Sequence, residues 1–259
     1  MRRVKKIIAV IILFLIIAIG SFHVWLQDSY VVPIIMYHSV DNPRHLSGIV
    51  VSPSSFRQQM DFLKRNDYHV ISLDALITAK REKRHLSKNN VIITFDDGYD
   101  DNYTYAFPVL KEYGFPASIF VITNLIGKPG YLTWEELKEM EKSQITIGSH
   151  TVDHVYLPGV PLDWQSYQIK ESKRVLEEKL GHTIDFFAYP SGGFSDGTKD
   201  IVEAAGYRAA LTTNRGNKRF NEDVYELKRV RFKDKDSSLG LWAKLSGFYN
   251  LFRVLKEPN

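Results

Sequence analysis

The sequence predicts an α/β fold in which parallel strands alternate with helices. Short segments rich in β-branched and aromatic residues recur after residue 30, and most are separated by stretches with the apolar spacing of an amphipathic helix. The predicted strands are residues 32–37, 69–71, 91–95, 118–122, 145–147, 184–188, 208–211 and 227–230. This alternation is typical of a parallel sheet that is either open or closed into a barrel.

Predicted helices occupy the segments between these strands. They are residues 55–64, 73–80, 103–113, 134–142, 164–180 and 199–205. A further apolar pattern over 239–255 predicts a helix that packs on the barrel, with a position on the membrane surface as the alternative. Two of the helices begin with a capping-box pattern, in which two side chains satisfy each other's backbone amides. The pairs are Ser55 with Gln58 and Thr133 with Glu136.

The composition indicates one neutral globular domain behind a basic N-terminus. Of the 259 residues, 44% are hydrophobic and 13% aromatic, which is enough to bury one large core. The formal net charge is +4, and the four cations within residues 1–6 account for all of it. Because the remaining chain is neutral, the basic composition gives no indication of a nucleic-acid partner.

The N-terminal segment predicts export. Four cations precede an apolar run over residues 7–26, which has about the 20 residues that a helix needs to cross a bilayer. We therefore divide the chain into a cytoplasmic basic segment (1–6), a transmembrane anchor or signal peptide (7–26) and an extracytoplasmic domain (27–259). The expected location is the cell membrane with a single span. The alternative is secretion after cleavage near Gly20, since Ala18, Ile19 and Gly20 form a small-x-small site.

Four polar clusters follow predicted strands, at the ends where functional residues of parallel α/β folds lie. The residues of interest in these clusters are His38, Asp96, Asp97, His150, His154 and Ser191. Each cluster alone also fits an ordinary turn or a surface histidine. Their shared placement at the same predicted rim favours one functional site.

Two histidines and one carboxylate would make the three-ligand, open site of a hydrolytic metal centre. The chain has no Cys, so a metal must be held by His, Asp or Glu. His150 and His154 lie in HTVDH, which has Thr where the zincin motif has its catalytic Glu, so the general base must come from elsewhere. The adjacent Asp96 and Asp97 supply one carboxylate for the metal and one for proton transfer.

Three motifs together resemble the NodB-homology polysaccharide deacetylases, carbohydrate esterase family 4. They are TFDDGYDDNY, SHTVDH and FAYPSGG, and the resemblance covers residues 32–230. It implies a distorted (β/α) barrel with fewer than eight strands and a divalent metal, with Zn expected first and Co or Ni as alternatives. It also implies that Asp96 is the general base and that Asp97, His150 and His154 bind the metal.

Two departures from this family pattern affect the expected mechanism. Ala188 stands where the third motif often has the Arg that orients the base, so this Arg is expected to be missing. No histidine follows His182, so the late catalytic His is also absent. The segment IIMYHSV resembles the family branch that deacetylates poly-N-acetylglucosamine in bacterial surface matrices, which implies that His38, with an ordinary pKa near 6.5, protonates the leaving amine. The alternative is that His38 caps a buried strand end.

The resulting expectation is an exported polysaccharide N-deacetylase, a hydrolase acting on linear amide C–N bonds. Its substrate would be an N-acetylglucosamine-containing surface glycan: poly-N-acetylglucosamine, peptidoglycan or a chitin-like polymer. The backbone N–H of Ser191 is the expected oxyanion donor. The expected partners are this acetylated glycan and the membrane, with no nucleic acid or protein partner. An O-acetyl esterase on the same site and a catalytically silent glycan-binding protein are the alternatives.

Overall fold

The computed structural model describes residues 2–42, 48–216 and 218–258. Its strands are β1 Ile34–Tyr37, β2 Ser39–Val40, β3 Val50–Val51, β4 His69–Val70, β5 Asn90–Asp97, β6 Ala117–Val121, β7 Ile145–Ser149, β8 Phe186–Ala188, β9 Ala209–Leu211 and β10 Val230–Arg231. Its α-helices are α1 Arg2–Asp28, α2 Pro53–Arg65, α3 Leu73–Arg81, α4 Phe107–Tyr113, α5 Trp134–Glu141, α6 Leu162–Leu180, α7 Asp196–Ala204, α8 Ser238–Leu245 and α9 Tyr249–Phe252. A π-helical turn, Asn102–Ala106, leads into α4, and 3₁₀ turns occupy Thr123–Leu125, Leu157–Gly159, Pro190–Gly192 and Val224–Glu226.

The parallel sheet curls into a distorted barrel. Seven strands form one path in the order β10-β1-β5-β6-β7-β8-β9, and β4 pairs with β5 beside it. Leu227 bridges to Leu211 of β9, and Val230 pairs with Ile35 of β1, so the segment 227–231 spans the gap between the first and last strands of the path. The predicted barrel with fewer than eight strands in its ring is confirmed.

Alternate residues of the central strands face two different apolar layers. Ile34 and Ile92 belong to the cluster that fills the barrel interior, together with residues of α3. Ile35 and Ile93 belong to the larger cluster between the strands and the outer helices. Because Thr94 and Asp96 lie two and four residues after Ile92, this alternation turns their side chains toward the interior.

Of the two predicted capping boxes, one is present in the structure and the other is not. The predicted capping box at Thr133 is confirmed, since its hydroxyl accepts from the Glu136 amide at 3.2 Å and Glu136 accepts from the Thr133 amide at 2.8 Å. The box predicted at Ser55 is wrong. The helix begins earlier, at Pro53, and the Ser52 hydroxyl accepts from the Ser55 amide at 3.3 Å. Proline is favoured in the first turn of a helix, which moves the start upstream.

The C-terminal apolar pattern forms two helices instead of the one predicted over 239–255. Gly247 separates α8 from α9 and has φ 77°, a left-handed conformation that favours glycine. A Cβ at this position would lie 2.0 Å from the Tyr30 ring, so the break also makes room for that ring. Leu241 and Leu245 of α8 are buried in the outer cluster, as expected of a helix that packs on the barrel.

Helix α1 has the length and composition of a membrane span. Its segment Lys6–Trp25 has 20 residues with a mean hydropathy of 2.9, and none of that segment is buried against the rest of the structure. A signal sequence near the N-terminus meets the same criteria of length and hydropathy. The chain leaves α1 toward the amino end of β1, where the Val31 amide donates to the Gly247 carbonyl at 2.9 Å.

Candidate metal centre and catalytic cleft

The carboxyl ends of the strands bring all six predicted site residues to one open cleft. Asp96 and Asp97 end β5, His150 directly follows β7, and His38 directly follows β1. The cleft has a volume of about 910 Å³, and its lining includes these four residues together with His154 and Ser191. Residues 112 positions apart in the chain, His38 and His150, therefore share one site because their strands end at the same rim.

Asp97, His150 and His154 form a cluster with the geometry of a metal site. Asp97 Oδ1 lies 3.5 Å from His150 Nε2 and 3.4 Å from His154 Nε2, and the three candidate ligand atoms lie within 4.8 Å of one another. Ligand atoms about 2.0–2.2 Å from a tetrahedral zinc ion are themselves roughly 3.3–3.6 Å apart. His150 Nδ1 donates to the Ala188 carbonyl at 2.7 Å, which leaves the lone pair of Nε2 for a metal.

The electrostatics of this cluster also fit a divalent cation. Asp97 Oδ1 is buried and has no hydrogen-bond partner within the described residues. Burial raises the pKa of Asp97 and lowers the pKa of His150 and of His154, so the histidines are neutral and ready to bind a metal at pH 7. A cation between the three side chains would satisfy the orphaned oxygen and stabilise the charge on the carboxylate.

Left-handed backbone conformations shape the loops that carry these ligands. Asp97 has φ 74°, and Thr151 and His154 have φ 69° and 57°, so HTVDH is a loop and not a helical turn. Gly98 follows Asp97 at φ 74°, and a Cβ there would lie 2.9 Å from Val121 Cγ1 of the neighbouring strand. Several non-glycine residues held in this region at one site are consistent with a preformed functional geometry.

Asp96 has a different environment from Asp97, because it is bound by a buried arginine. Arg229 Nη1 and Nη2 donate to the two carboxylate oxygens of Asp96 at 2.6 and 2.7 Å. The same guanidinium donates to Thr94 Oγ1 at 3.2 Å and to the Thr212 carbonyl at 3.0 Å. Burial alone would raise the pKa of Asp96, but the Arg229 charge and hydrogen bonds hold it well below its usual range.

This ion pair corrects the expectation that no arginine orients Asp96, the expected base. Ala188 does stand at the expected position of that arginine, but Arg229 reaches Asp96 from the segment that closes the barrel. The sequence LKRVRF, residues 227–232, contained a signal for this arginine, because the basic Arg229 lies within the predicted strand 227–230. A side chain that is fully buried inside a barrel needs a partner, and Asp96 is that partner.

His38 lies in the cleft, but its protonation differs from the expectation. Burial is the main cause that lowers the pKa of His38 to about 4, whereas the Asp96 charge opposes this shift. Its Nδ1 is buried without a hydrogen-bond partner within the described residues. His38 is therefore neutral at pH 7 in the free protein, and the assumption of an ordinary pKa near 6.5 was wrong because the sequence does not reveal burial.

The remaining carboxylates of the DDGYDD segment have other environments. Asp101 accepts from the Ser39 hydroxyl at 2.5 Å and from the Val40 amide at 3.0 Å, so it fixes the chain just after His38. Asn102 supports the same turn by donating to the His38 carbonyl at 2.8 Å. Asp100 is exposed. Of the four carboxylates, only Asp96 and Asp97 line the cleft.

Ser191 lies on the cleft wall in a tight turn. It has φ 55°, and the following Gly192 has φ 75°. A Cβ at Gly192 would lie 2.6 Å from the Thr213 backbone nitrogen, so this turn packs closely against the neighbouring strand end. The packing fixes the Ser191 backbone in the lining of the same cleft as Asp97, His150 and His154.

Comparison with known proteins identifies the family. The family model for polysaccharide deacetylases matches residues 83–210. YxkH of Bacillus subtilis (strain 168), which carries the same family description, is 36% identical over 199 residues, which are 77% of this chain and 70% of YxkH. The chain belongs to the polysaccharide deacetylase family. This deacetylase is therefore an enzyme of the class that hydrolyses amide bonds in acetylated glycans.

Solved structures and a curated relative extend this similarity. Streptococcus pyogenes deacetylase PplD, in complex with acetate, has a TM-score of 0.77 at 31% identity, covering 83% of this chain and 97% of PplD. IcaB from Ammonifex degensii has a TM-score of 0.74 at 27% identity, covering 84% and 97%. The poly-β-1,6-N-acetyl-D-glucosamine N-deacetylase of Staphylococcus aureus (strain MSSA476) is 26% identical over 223 residues, covering 80% of this chain and 75% of that protein. The predicted resemblance to the poly-N-acetylglucosamine branch is confirmed at this level.

Loss of either histidine of the cluster should abolish stoichiometric metal binding, because each would supply one of three protein ligands. His150→Ala and His154→Ala should therefore lose both metal and activity, whereas Asp96→Asn should lose activity and keep the metal. Elemental analysis of the purified variants measures the metal content. His182→Ala is the matched control, because this histidine pairs with Glu141 at 2.7 Å away from the cleft. Tight metal binding by the double variant of His150 and His154 would contradict the assignment.

Replacing Arg229 should move the acidic limb of the pH–rate profile to higher pH. Without the guanidinium, burial raises the pKa of Asp96, so the carboxylate is protonated and inactive at pH values where the wild type still works. Arg229→Gln should show this shift in kcat/KM, and Arg229→Lys should show less of it because the positive charge is kept.

The same substitution should also destabilise the protein, because it leaves a buried charge without its partner. The expected loss for Arg229→Gln is about 3–5 kcal/mol in the free energy of unfolding. Arg208→Gln is the control, since this partly exposed arginine pairs with Asp74 and Asp185 away from the cleft.

For the pH–rate prediction, an acidic limb at the wild-type position in folded Arg229→Gln would show that the ion pair does not set the protonation of Asp96.

Proposed function

We propose that this chain is a metal-dependent N-deacetylase of N-acetylglucosamine-containing surface polysaccharide. The observation that carries the proposal is the pairing of two adjacent carboxylates in different environments. Asp97 belongs to a cluster with His150 and His154, and Asp96 is bound by Arg229. One carboxylate is thus arranged to bind a cation and the other to accept a proton, which are the two functions that amide hydrolysis at a metal centre requires.

Each side chain of the cleft has a role in this reaction. Asp97, His150 and His154 would hold a divalent ion, with Zn expected first and Co or Ni as alternatives. Such an ion would lower the pKa of a water and polarise the acetyl carbonyl. Asp96 is held ionised by Arg229, so it is available at neutral pH to accept the proton of the attacking water. The arginine that keeps Asp96 ionised also makes it a weak base, so the proton is readily passed on.

The leaving amine needs a proton, and His38 is the candidate donor. His38 is neutral in the free protein, so it must first gain the proton that Asp96 has accepted. The negative charge of Asp96 favours the protonated form of His38, which supports transfer between these two groups. The Ser191 backbone N–H is the proposed donor to the developing oxyanion, since its tight turn lies at the rim of the same cleft.

The substrate class follows from the relatives and from the chemistry. A Staphylococcus aureus relative is named for deacetylation of poly-β-1,6-N-acetyl-D-glucosamine. Poly-N-acetylglucosamine, peptidoglycan and chitin-like glycans all carry the acetamido group that the site would hydrolyse. The proposal therefore covers all three polymers, which share this group.

The proposed location is the outer side of the cell membrane. The basic segment 1–6 would remain cytoplasmic, α1 would span the membrane, and residues 27–259 would form the extracytoplasmic domain. The alternative is a secreted enzyme cleaved near Gly20. N-terminal sequencing of the native protein distinguishes the two, because cleavage places the mature N-terminus near Ser21.

The alternatives to N-deacetylation differ in their support. An O-acetyl esterase would use the same attack on an acetyl carbonyl, so it stays the second candidate. The third candidate, a catalytically silent glycan-binding protein, depends on the absence of two catalytic groups of the family pattern. Arg229 now supplies one of those groups by binding Asp96, which weakens that argument.

The full-length protein in detergent should release acetate from N-acetylglucosamine glycans when supplied with Zn²⁺. We expect release from at least one of poly-N-acetylglucosamine, peptidoglycan and chitin oligomers, measured by an enzyme-coupled acetate assay. Acetylated xylan tests the esterase alternative in the same assay. Asp96→Asn should reduce release by several orders of magnitude, whereas Asp100→Asn, an exposed change in the same loop, is the matched control. Acetate release from acetylated xylan alone would replace the proposal with an O-acetyl esterase.

Replacement of His38 with Asn should reduce the rate on N-acetyl substrates by about 10²- to 10⁴-fold, the usual contribution of general acid–base catalysis. Metal content should not change, because His38 is not part of the three-residue cluster. An aryl acetate has a better leaving group and needs less protonation, so its hydrolysis should be reduced less. Equal losses on both substrates would indicate that His38 orients the acetyl group. Wild-type activity would show that His38 only caps the end of β1.

A further inference from the structure

One wall of the catalytic cleft carries an excess of positive charge. Six cationic side chains line the cleft: Arg215, Arg231, Lys233, Lys244, Arg253 and Lys256. Three carboxylates line it, and each already has a function or a partner. Asp96 is bound by Arg229, Asp97 belongs to the candidate metal cluster, and Asp236 pairs with Lys244 at 2.5 Å. Because only Asp236 of these carboxylates pairs with a cation of the wall, the wall keeps a net positive charge.

Arg231 is the cation of this wall whose charge acts on His38. It ends β10, where its Cα pairs with that of Met36, two residues before His38. Burial is the main cause of the low pKa of His38, and the positive charge of Arg231 lowers it further, as expected if the guanidinium faces the imidazole across the cleft. A group bound by Arg231 would thus lie beside the reacting acetamide.

The Arg231 guanidinium makes no ion pair or hydrogen bond within the described residues, although the residue is half-buried. Other arginines of this region make contacts within the fold. Arg229 is paired with Asp96, and Arg253 donates to the Arg229 carbonyl at 2.8 Å. Arg215 donates to the Glu257 carbonyl at 3.0 Å. A half-buried guanidinium without such contacts does not stabilise the fold, so its function is better sought in a ligand.

We infer that the natural glycan carries an anionic group close to the acetylated sugar, and that Arg231 binds this group. Guanidinium presents parallel N–H donors that match the two oxygens of a carboxylate or a phosphate. A neutral poly-N-acetylglucosamine would leave this donor unused. The inference rests on the proposed N-deacetylase function and narrows its substrate class to glycans with a phosphodiester or a carboxylate.

Two lysines extend the same charge toward solvent. Lys233 and Lys256 are exposed, line the cleft and form no ion pair within the described part of the chain. Exposed cations at the mouth of a cleft attract an anionic polymer over a distance of about 8–10 Å at physiological salt. They would guide the polymer, and Arg231 would select the sugar whose anionic group places the acetamide at the metal cluster.

The experiment compares three N-acetylglucosamine oligosaccharides of equal length. One is neutral, one carries a phosphodiester on the sugar next to the acetylated residue, and one carries a carboxylate there. Wild-type full-length enzyme should show a kcat/KM at least about tenfold higher on one anionic substrate than on the neutral one, as expected for a charge-assisted contact. The better anionic substrate distinguishes phosphate from carboxylate, and added salt should reduce the preference.

Arg231→Gln should reduce the ratio of anionic to neutral kcat/KM by about tenfold or more. Arg174→Gln is the matched control, because this exposed arginine of α6 pairs with Glu171 and Glu178. It should leave the ratio at the wild-type value.

An equal or higher kcat/KM of the wild type on the neutral oligosaccharide would overturn the inference while the N-deacetylase function stands. An equal loss on all three substrates would also overturn it, since Arg231 would then assist the reaction itself.

Absence of acetate release from every substrate would instead count against the proposed function. Equilibrium binding of the same three oligosaccharides, measured by calorimetry, then decides the inference separately. Tighter binding of an anionic oligosaccharide that is lost in Arg231→Gln supports the anionic subsite. Equal binding of all three by the wild-type protein overturns it.

Discussion

A single buried ion pair, between Arg229 and Asp96, organises the carboxyl end of the barrel. Removing both charges from water costs several kcal/mol per ion, and only good geometry and further hydrogen bonds offset that cost. The structure provides both, because the guanidinium binds two carboxylate oxygens and also donates to Thr94 and Thr212. The pair joins the central strand β5 to the segment that closes the sheet. The contact that closes the barrel is therefore also the contact that orients Asp96, the proposed base.

The same segment sets the positions of several other groups in the cleft. Val230 pairs with Ile35, which fixes the register of β10 against β1. Because side chains alternate along a strand, Arg229 and Arg231 share one face, with the first deep in the barrel and the second nearer the cleft. A slip of one residue would turn both arginines to the other face and bring Val230 toward Asp96. The register of a two-residue strand thus determines both the charge beside Asp96 and the charge beside His38.

The sequence was most informative where its signals are local. Runs of β-branched residues predicted the strands, and the polar residues that follow them predicted the rim, because parallel strands all end on the same side. Adjacent Asp96 and Asp97 could be placed at this rim for the same reason. The capping prediction at Ser55 failed even though it was local, because Ser52 with Pro53 offered a competing helix start three residues earlier.

Non-local features could not be predicted from these patterns. Arg229 lies 133 residues after Asp96, and their contact exists only once the barrel has closed. The low pKa of His38 depends on burial, which a single strand end does not specify. The proposed role of Arg231 likewise depends on the packed structure, because only there is its half-buried guanidinium seen without an ion pair or hydrogen bond within the described residues. These misses share one cause: desolvation is a property of the assembled fold.

Helix α1 joins the barrel at the amino ends of the strands, whereas the cleft opens at their carboxyl ends. Tyr30 and Val31 contact the Gly247 turn at the amino end of the barrel, and the segment Lys6–Trp25 before them is not buried against the rest of the described residues. In the proposed topology, removing or lengthening this N-terminal segment would change where the enzyme works without disturbing the arrangement of its candidate catalytic groups.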